Sequence, residues 1–215
     1  MDERSINRLR RWTEPCSAIG IDRDSARRQG DLLVLAHSEM HRRYHDLTHL
    51  DECFAVVDAM PDLTQQDRHI VDLAIWFHDA IYDPTRSDNE VLSASMARNF
   101  LESAEVSCGD EVGDLIEMTA GHMPRDVTPR SAAMHDADLA ILGAEESRYH
   151  EYAGQIRAEY AHVPDAEFTV GRGRVLGSFL ALEQVYLRPD MRRRLEPQAR
   201  ENMRTELDAL RLDPG

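Results

Sequence analysis

Leu73-Ala74-Ile75-Trp76-Phe77-His78-Asp79-Ala80-Ile81-Tyr82-Asp83 sets a strongly apolar run of chain directly against an adjacent imidazole and carboxylate. Within Gln65 to Tyr82, the residues Ile70, Leu73, Ala74, Phe77 and Ile81 recur at intervals of three and four. That is the period of an amphipathic helix. The same pattern continues outward on both sides. Asp46 to Met60 carries Leu47, Leu50, Phe54 and Val57; Asn89 to Val106 carries Leu92, Met96 and Phe100; Asp110 to Gly121 carries Val112, Leu115 and Ile116. Further helices are expected over Ser131 to Leu142, Glu146 to His162, Phe168 to Leu187 and Arg200 to Leu212. The breaks fall at Pro61-Asp62, Asp83-Pro84, Gly109-Asp110, Pro124, Gly143, Pro164-Asp165 and Pro189-Asp190, which carry helix-stop and turn residues. No stretch alternates as a strand does, so the expected fold class is all-α, in one domain. Residues 1–20 are expected to form a helix packed outside the core.

The chain has 215 residues, enough to bury a core, with 42% hydrophobic and 30% charged residues, ordinary proportions for a globular protein. No run approaches the length of a membrane-spanning helix, and the start, Met1-Asp2-Glu3-Arg4-Ser5, lacks an apolar leader core. A cytoplasmic location without membrane association is therefore expected. Cys16, Cys53 and Cys108 are few and far apart, as in free thiols of a reducing compartment. The net charge of −15 argues against general nucleic-acid binding, although a metal and a few arginines can still favour a phosphorylated small molecule inside a cleft. All 25 basic residues are arginine. The absence of lysine excludes a Walker-A loop, a Schiff base and a Ser-Lys dyad.

Four residues form a candidate metal site: His49, His78, Asp79 and Asp138. Two imidazoles and two carboxylates make a mixed N/O ligand set. Such a set suits Mn, Fe, Co, Ni, Zn or Mg and leaves positions open for water and substrate, the layout of a metal-assisted hydrolase. His78 falls on the apolar side of its helix with Val71, Ala74 and Ile81, and a carboxylate beside Trp76 and Phe77 is costly unless it is compensated. His49 shares a helix side with Cys53 and Val56. His37, His41, His45 and His49 recur every four residues. However, Arg42-Arg43-Tyr44-His45-Asp46 reads as a break, with Asp46 an N-cap of the next helix. Asp136 competes with Asp138 for the last ligand position. The two point about 200° apart on a helix, so one ion takes only one of them, and Asp138 is preferred. Glu90 follows Asp88, itself a potential helix cap, and is a candidate general base; Asp83 is a weaker one. His122 is a candidate general acid, phosphate contact or further ligand. Arg43, Arg125 and Arg130 are the arginines nearest these motifs in sequence.

Tyr44-His-Asp-Leu-Thr-His49, Trp76-Phe-His-Asp-Ala-Ile-Tyr-Asp83, Asn89-Glu-Val-Leu-Ser-Ala94 and Asp136-Ala-Asp-Leu-Ala-Ile-Leu-Gly143 together resemble the HD superfamily of metal-dependent phosphohydrolases. Within it they look like a bacterial subgroup of predicted members whose substrate is unassigned. Arg157-Ala-Glu-Tyr-Ala-His-Val163 and Phe168-Thr-Val-Gly-Arg172 extend it, so that it runs from about residue 30 to 205. The resemblance implies a helical bundle with the metal held between core helices. The motif-bearing core would lie at about 30–145, with helices at about 146–212 packed on it. It implies His49, His78, Asp79 and Asp138 as ligands. The Ala-Asp-Leu setting of Asp138 also resembles the last metal-binding aspartate of cyclic-nucleotide phosphodiesterases. Two-metal members place two more histidines between the doublet and the last aspartate. Here that interval holds only His122 and His135, so one divalent ion is expected rather than two.

The expected activity is hydrolysis of a phosphate ester or phosphoanhydride of a nucleotide or similar small metabolite, by a monomer or homodimer. The ion would polarise a phosphoryl oxygen and lower the pKa of bound water, with Asp79, Glu90 and His122 as the catalytic candidates. Two other readings keep the metal: a non-enzymatic module that senses nucleotides or binds a partner, and an HD-type di-iron oxygenase.

Overall fold

The computed structural model describes residues 3–122 and 124–212. Among them are ten α-helices and two 3-10 turns, with no strand, so the protein is all-α. No helix among the described residues is long and apolar enough to cross a membrane. The chain divides into two compact units, Met1–Ala137 and Asp138–Gly215.

The first unit holds α1 (Glu3–Ala18), α2 (Arg23–Ala36), α3 (Leu47–Asp58), α4 (Gln65–Phe77), α5 (Asn89–Ser103), α6 (Gly109–Glu117) and most of α7 (Pro129–Asp138). Its centre is α4, where every residue from Ile70 to Phe77 is buried. A helix that is apolar on all sides needs neighbours all round, and α4 packs against α1, α3, α5 and α6. The α4 N-terminus is closed by a capping box, with Thr64 and Asp67 each bonding the other's backbone N–H; two orphan donors are thereby satisfied.

Contrary to the sequence expectation, α1 is part of this core. Trp12 and Cys16 are buried, and the Trp12 ring lies 5.9 Å from those of Trp76 and Phe77 and 5.8 Å from Phe100. Arg11, buried beside them, bonds Asp72 at 2.9 Å and the Phe54 carbonyl at 3.3 Å and pairs with Asp58. Asp72 is the one charge within the buried run of α4. Burial pushes its carboxyl up, to about 7, against the opposing pull of Arg11. The many charges of α1 hide a narrow apolar edge, which is why its sequence reads as a surface helix.

The second unit holds a 3-10 turn (Leu139–Gly143), α8 (Glu146–Glu159), α9 (Asp165–Ala181) and α10 (Pro189–Leu212). Gly143 sits where a Cβ would meet Leu195 Cβ at 2.6 Å and the Leu195 carbonyl at 2.8 Å, so only glycine admits this approach. Asn202 Nδ2 donates to the carbonyls of Leu142 and Ala144. A buried polar network links Arg172 and Tyr149 to Glu206 at 2.7 and 2.6 Å.

Here α9 ends at Ala181, short of the expected Leu187, and α10 begins at Pro189 rather than Arg200. The cause is side-chain substitution for the helical ladder. Glu196 accepts the N–H groups of Val185 and Tyr186, while Arg200 donates to the carbonyls of Leu180, Leu182 and Glu183.

Candidate metal centre

The break expected between His41 and His49 is present. Helix α2 stops at Ala36, and α3 starts at Leu47 with Asp46 as its N-cap. The Asp46 carboxylate accepts from the N–H groups of Thr48 at 2.6 Å and His49 at 3.3 Å. This cap fixes the first turn of α3 and therefore the position of His49, which is buried.

His78 and Asp79 are placed differently from the expectation. Helix α4 ends at Phe77, so His78 is its C-cap and Asp79 lies in the following turn. Continuing the helix would require Ala80 O to accept from residue 84, which is a proline without an N–H. The Asp83 N–H is already given to Asn89 Oδ1 at 3.1 Å. The carbonyls of the turn are satisfied from elsewhere: Asp79 and Ala80 by Arg42, Ile81 by Ser93 and Asp83 by Asn89. The doublet thus projects from a helix end held by side chains of neighbouring segments.

His49, His78 and Asp79 converge. The two Nε2 atoms are 3.1 Å apart; Asp79 Oδ2 is 3.1 Å from the His78 Nε2 and 3.9 Å from that of His49. The circle through these three atoms has a radius of about 2.0 Å, the length of a bond from nitrogen or oxygen to a small divalent metal. The donor set and its spacing therefore fit a single divalent cation, which these three residues would hold. His78 Nδ1 lies 2.8 Å from the Ile75 carbonyl. Donation there leaves the lone pair of its Nε2 for the convergence point, the usual outer support of a metal-binding histidine. The Asp79 side chain is only 13% exposed. Burial alone would raise its carboxyl, but the nearby imidazoles of His78, His45 and His49 hold it well below the usual carboxylate range. The site concentrates negative charge and lone pairs in a nearly dry pocket, which is what a cation requires.

The remaining candidates lie as follows. Asp138 closes α7. It follows Ala137, whose carbonyl is 3.7 Å from Cys53 Sγ; that sulfur also lies 3.7 Å from His49 Nε2. Asp136 is fully buried and accepts from His135 Nδ1 at 2.8 Å. Glu90 stands half-buried in the first turn of α5, and His122 follows Gly121 with a left-handed φ of 48°. Its ring is 6.0 Å from that of His135. Neither Glu90 nor His122 belongs to the His49–His78–Asp79 cluster. Asp83, the weaker base candidate, is exposed and forms a turn by accepting from Thr85. Asp88 does not cap α5 with its side chain; its carboxylate takes both arms of Arg86. Arg43 and Arg125 are exposed, and Arg130 is paired with Asp67 and Glu111.

Two residues beside the cluster were not among the site candidates drawn from sequence. Arg42 is buried and bonds the backbone of Asp79. His45 is half-buried, with its ring 4.2 Å from Tyr82 and 5.9 Å from His49. The signals for them were the four-residue histidine series that includes His45 and the charged break before α3. Comparison of the chain with known protein families, curated proteins and solved structures returns no match.

Proposed function

We propose that His49, His78 and Asp79 hold one divalent ion, with Asp138 as a further ligand, in a hydrolase acting on a small phosphorylated metabolite such as a nucleotide. The observation that carries this reading is the triangle of donor atoms, sized for a single ion, with His78 oriented by the Ile75 carbonyl. When bound, the ion supplies Lewis acidity toward a phosphoryl oxygen and acidifies a water ligand.

The chain's own residues contribute the rest. Asp79 stays ionised in a buried position, so it offers fixed negative charge without a proton to lose. The bond to Ile75 keeps the ring of His78 in one tautomer. Tyr44 and Cys53, both buried and packed against His49, limit the access of bulk water, which strengthens every interaction among these charges. Glu90 and His122 remain the proposed proton-transfer groups and require substrate to bridge from the cluster.

The test is phosphate and pyrophosphate release by chelator-stripped protein on a panel of nucleotides and phosphoesters. Mn, Co, Ni, Mg and Zn are added in turn, beside Asp79→Ala. Metal-dependent release that disappears in Asp79→Ala is expected. Tight nucleotide binding without turnover under every metal would replace the hydrolase with a sensor.

A further inference from the structure

Arg42 stands in the irregular segment between α2 and α3, yet its side chain has no exposed surface. A desolvated guanidinium is costly unless its N–H groups are accepted. Here Nη1 donates to the Asp79 carbonyl at 2.6 Å and the His45 carbonyl at 3.1 Å, Nη2 to the Ala80 carbonyl at 3.3 Å, and Nε to Glu39 at 3.0 Å. The group also lies 5.3 Å from the centre of the Tyr82 ring, whose other contacts include the His45 ring at 4.2 Å. One planar fork thus joins the turn carrying Asp79 to the segment that leads into His49. The Asp79 and Ala80 carbonyls have no helical donor to replace it, because the N–H of Asp83 is engaged and residue 84 is proline.

We propose that Arg42 is the positioning residue of the metal centre, setting the separation of Asp79 from His49 by tying their two backbone segments together. This inference rests on the metal reading above. It opposes simple electrostatics. A fixed positive charge beside a cation site weakens cation binding, so removing it would tighten binding if charge were all that mattered. Positioning predicts the opposite sign. Lysine cannot substitute, because a point donor does not span three carbonyls as the fork does.

Co(II) binding is the assay, read both as affinity and as the visible absorption bands that report coordination geometry. Wild type, Arg42→Met, Arg42→Lys and the surface control Arg28→Met are compared, with helical circular dichroism as the check on folding. Arg42→Met is expected to weaken Co(II) binding about 10- to 100-fold, as loss of an outer support does, and to shift the bands. Arg42→Lys is expected to shift the bands and weaken binding as well, and Arg28→Met to match wild type. Unchanged or tighter binding in folded Arg42→Met overturns the proposal. Should that variant lose its helical signal, unchanged affinity and bands in Arg42→Lys overturn it instead. A wild type that binds no Co(II) overturns the metal reading itself, an outcome distinct from either.

Discussion

Acidification should destabilise the first unit through one buried histidine. His37 caps α2, is 1% exposed, and has Nε2 3.2 Å from the Trp76 carbonyl. Burial, reinforced by the charges of Arg42 and His78, pushes its imidazole down to about 3. In the unfolded chain the same group titrates near 6.5. Between those values the unfolded state binds more protons than the folded state. Stability is therefore fully present above about pH 6.5 and falls as pH drops toward 3. At pH 4.5 the loss relative to neutral pH amounts to about 3 kcal/mol, a large fraction of a domain's stability. The assay is urea unfolding in chelator at pH 7.5, 5.5 and 4.5, followed by tryptophan fluorescence. Both tryptophans, Trp12 and Trp76, lie in this unit. His37→Gln keeps a donor for the Trp76 carbonyl but cannot take up a proton in this range, so its stability should fall less steeply by about 3 kcal/mol over that interval. Parallel curves for the two proteins would mean instead that His37 bears no unusual cost of charging.

Two further perturbations test the packing. Gly143→Ala forces a Cβ against Leu195 backbone and side chain and should cost about 1–3 kcal/mol, read as a lower thermal midpoint. Asp72→Ala leaves Arg11 buried without its closest buried carboxylate and should cost about 3–5 kcal/mol, whereas the paired replacement Arg11→Met/Asp72→Leu should recover much of it; chemical denaturation of the three variants reads the difference.

The helices legible from sequence were those whose stability comes from a periodic apolar face with a local cap. Leu50, Phe54 and Val57 with Asp46 announced α3, and the run through Phe77 announced α4. The ends that escaped prediction are those set by distant side chains. Nothing local to Ala80 says that Arg42 will take its carbonyl, and nothing local to Leu182 says that Arg200 will do the same. Periodicity through Ile81 and Leu182 therefore ran past the true boundaries. The doublet His78-Asp79 was visible because an imidazole and a carboxylate stand out in an apolar run. Arg42 was hidden because an arginine in a charged break looks solvated until its acceptors are known.

Metal titration of chelator-stripped protein, by calorimetry with elemental analysis, decides whether His49, His78 and Asp79 form one metal site. One divalent ion should bind per chain, with binding lost in His78→Ala and Asp79→Ala while the helical circular dichroism is kept. No ion bound by the folded wild type, or binding undiminished in both variants, would contradict it.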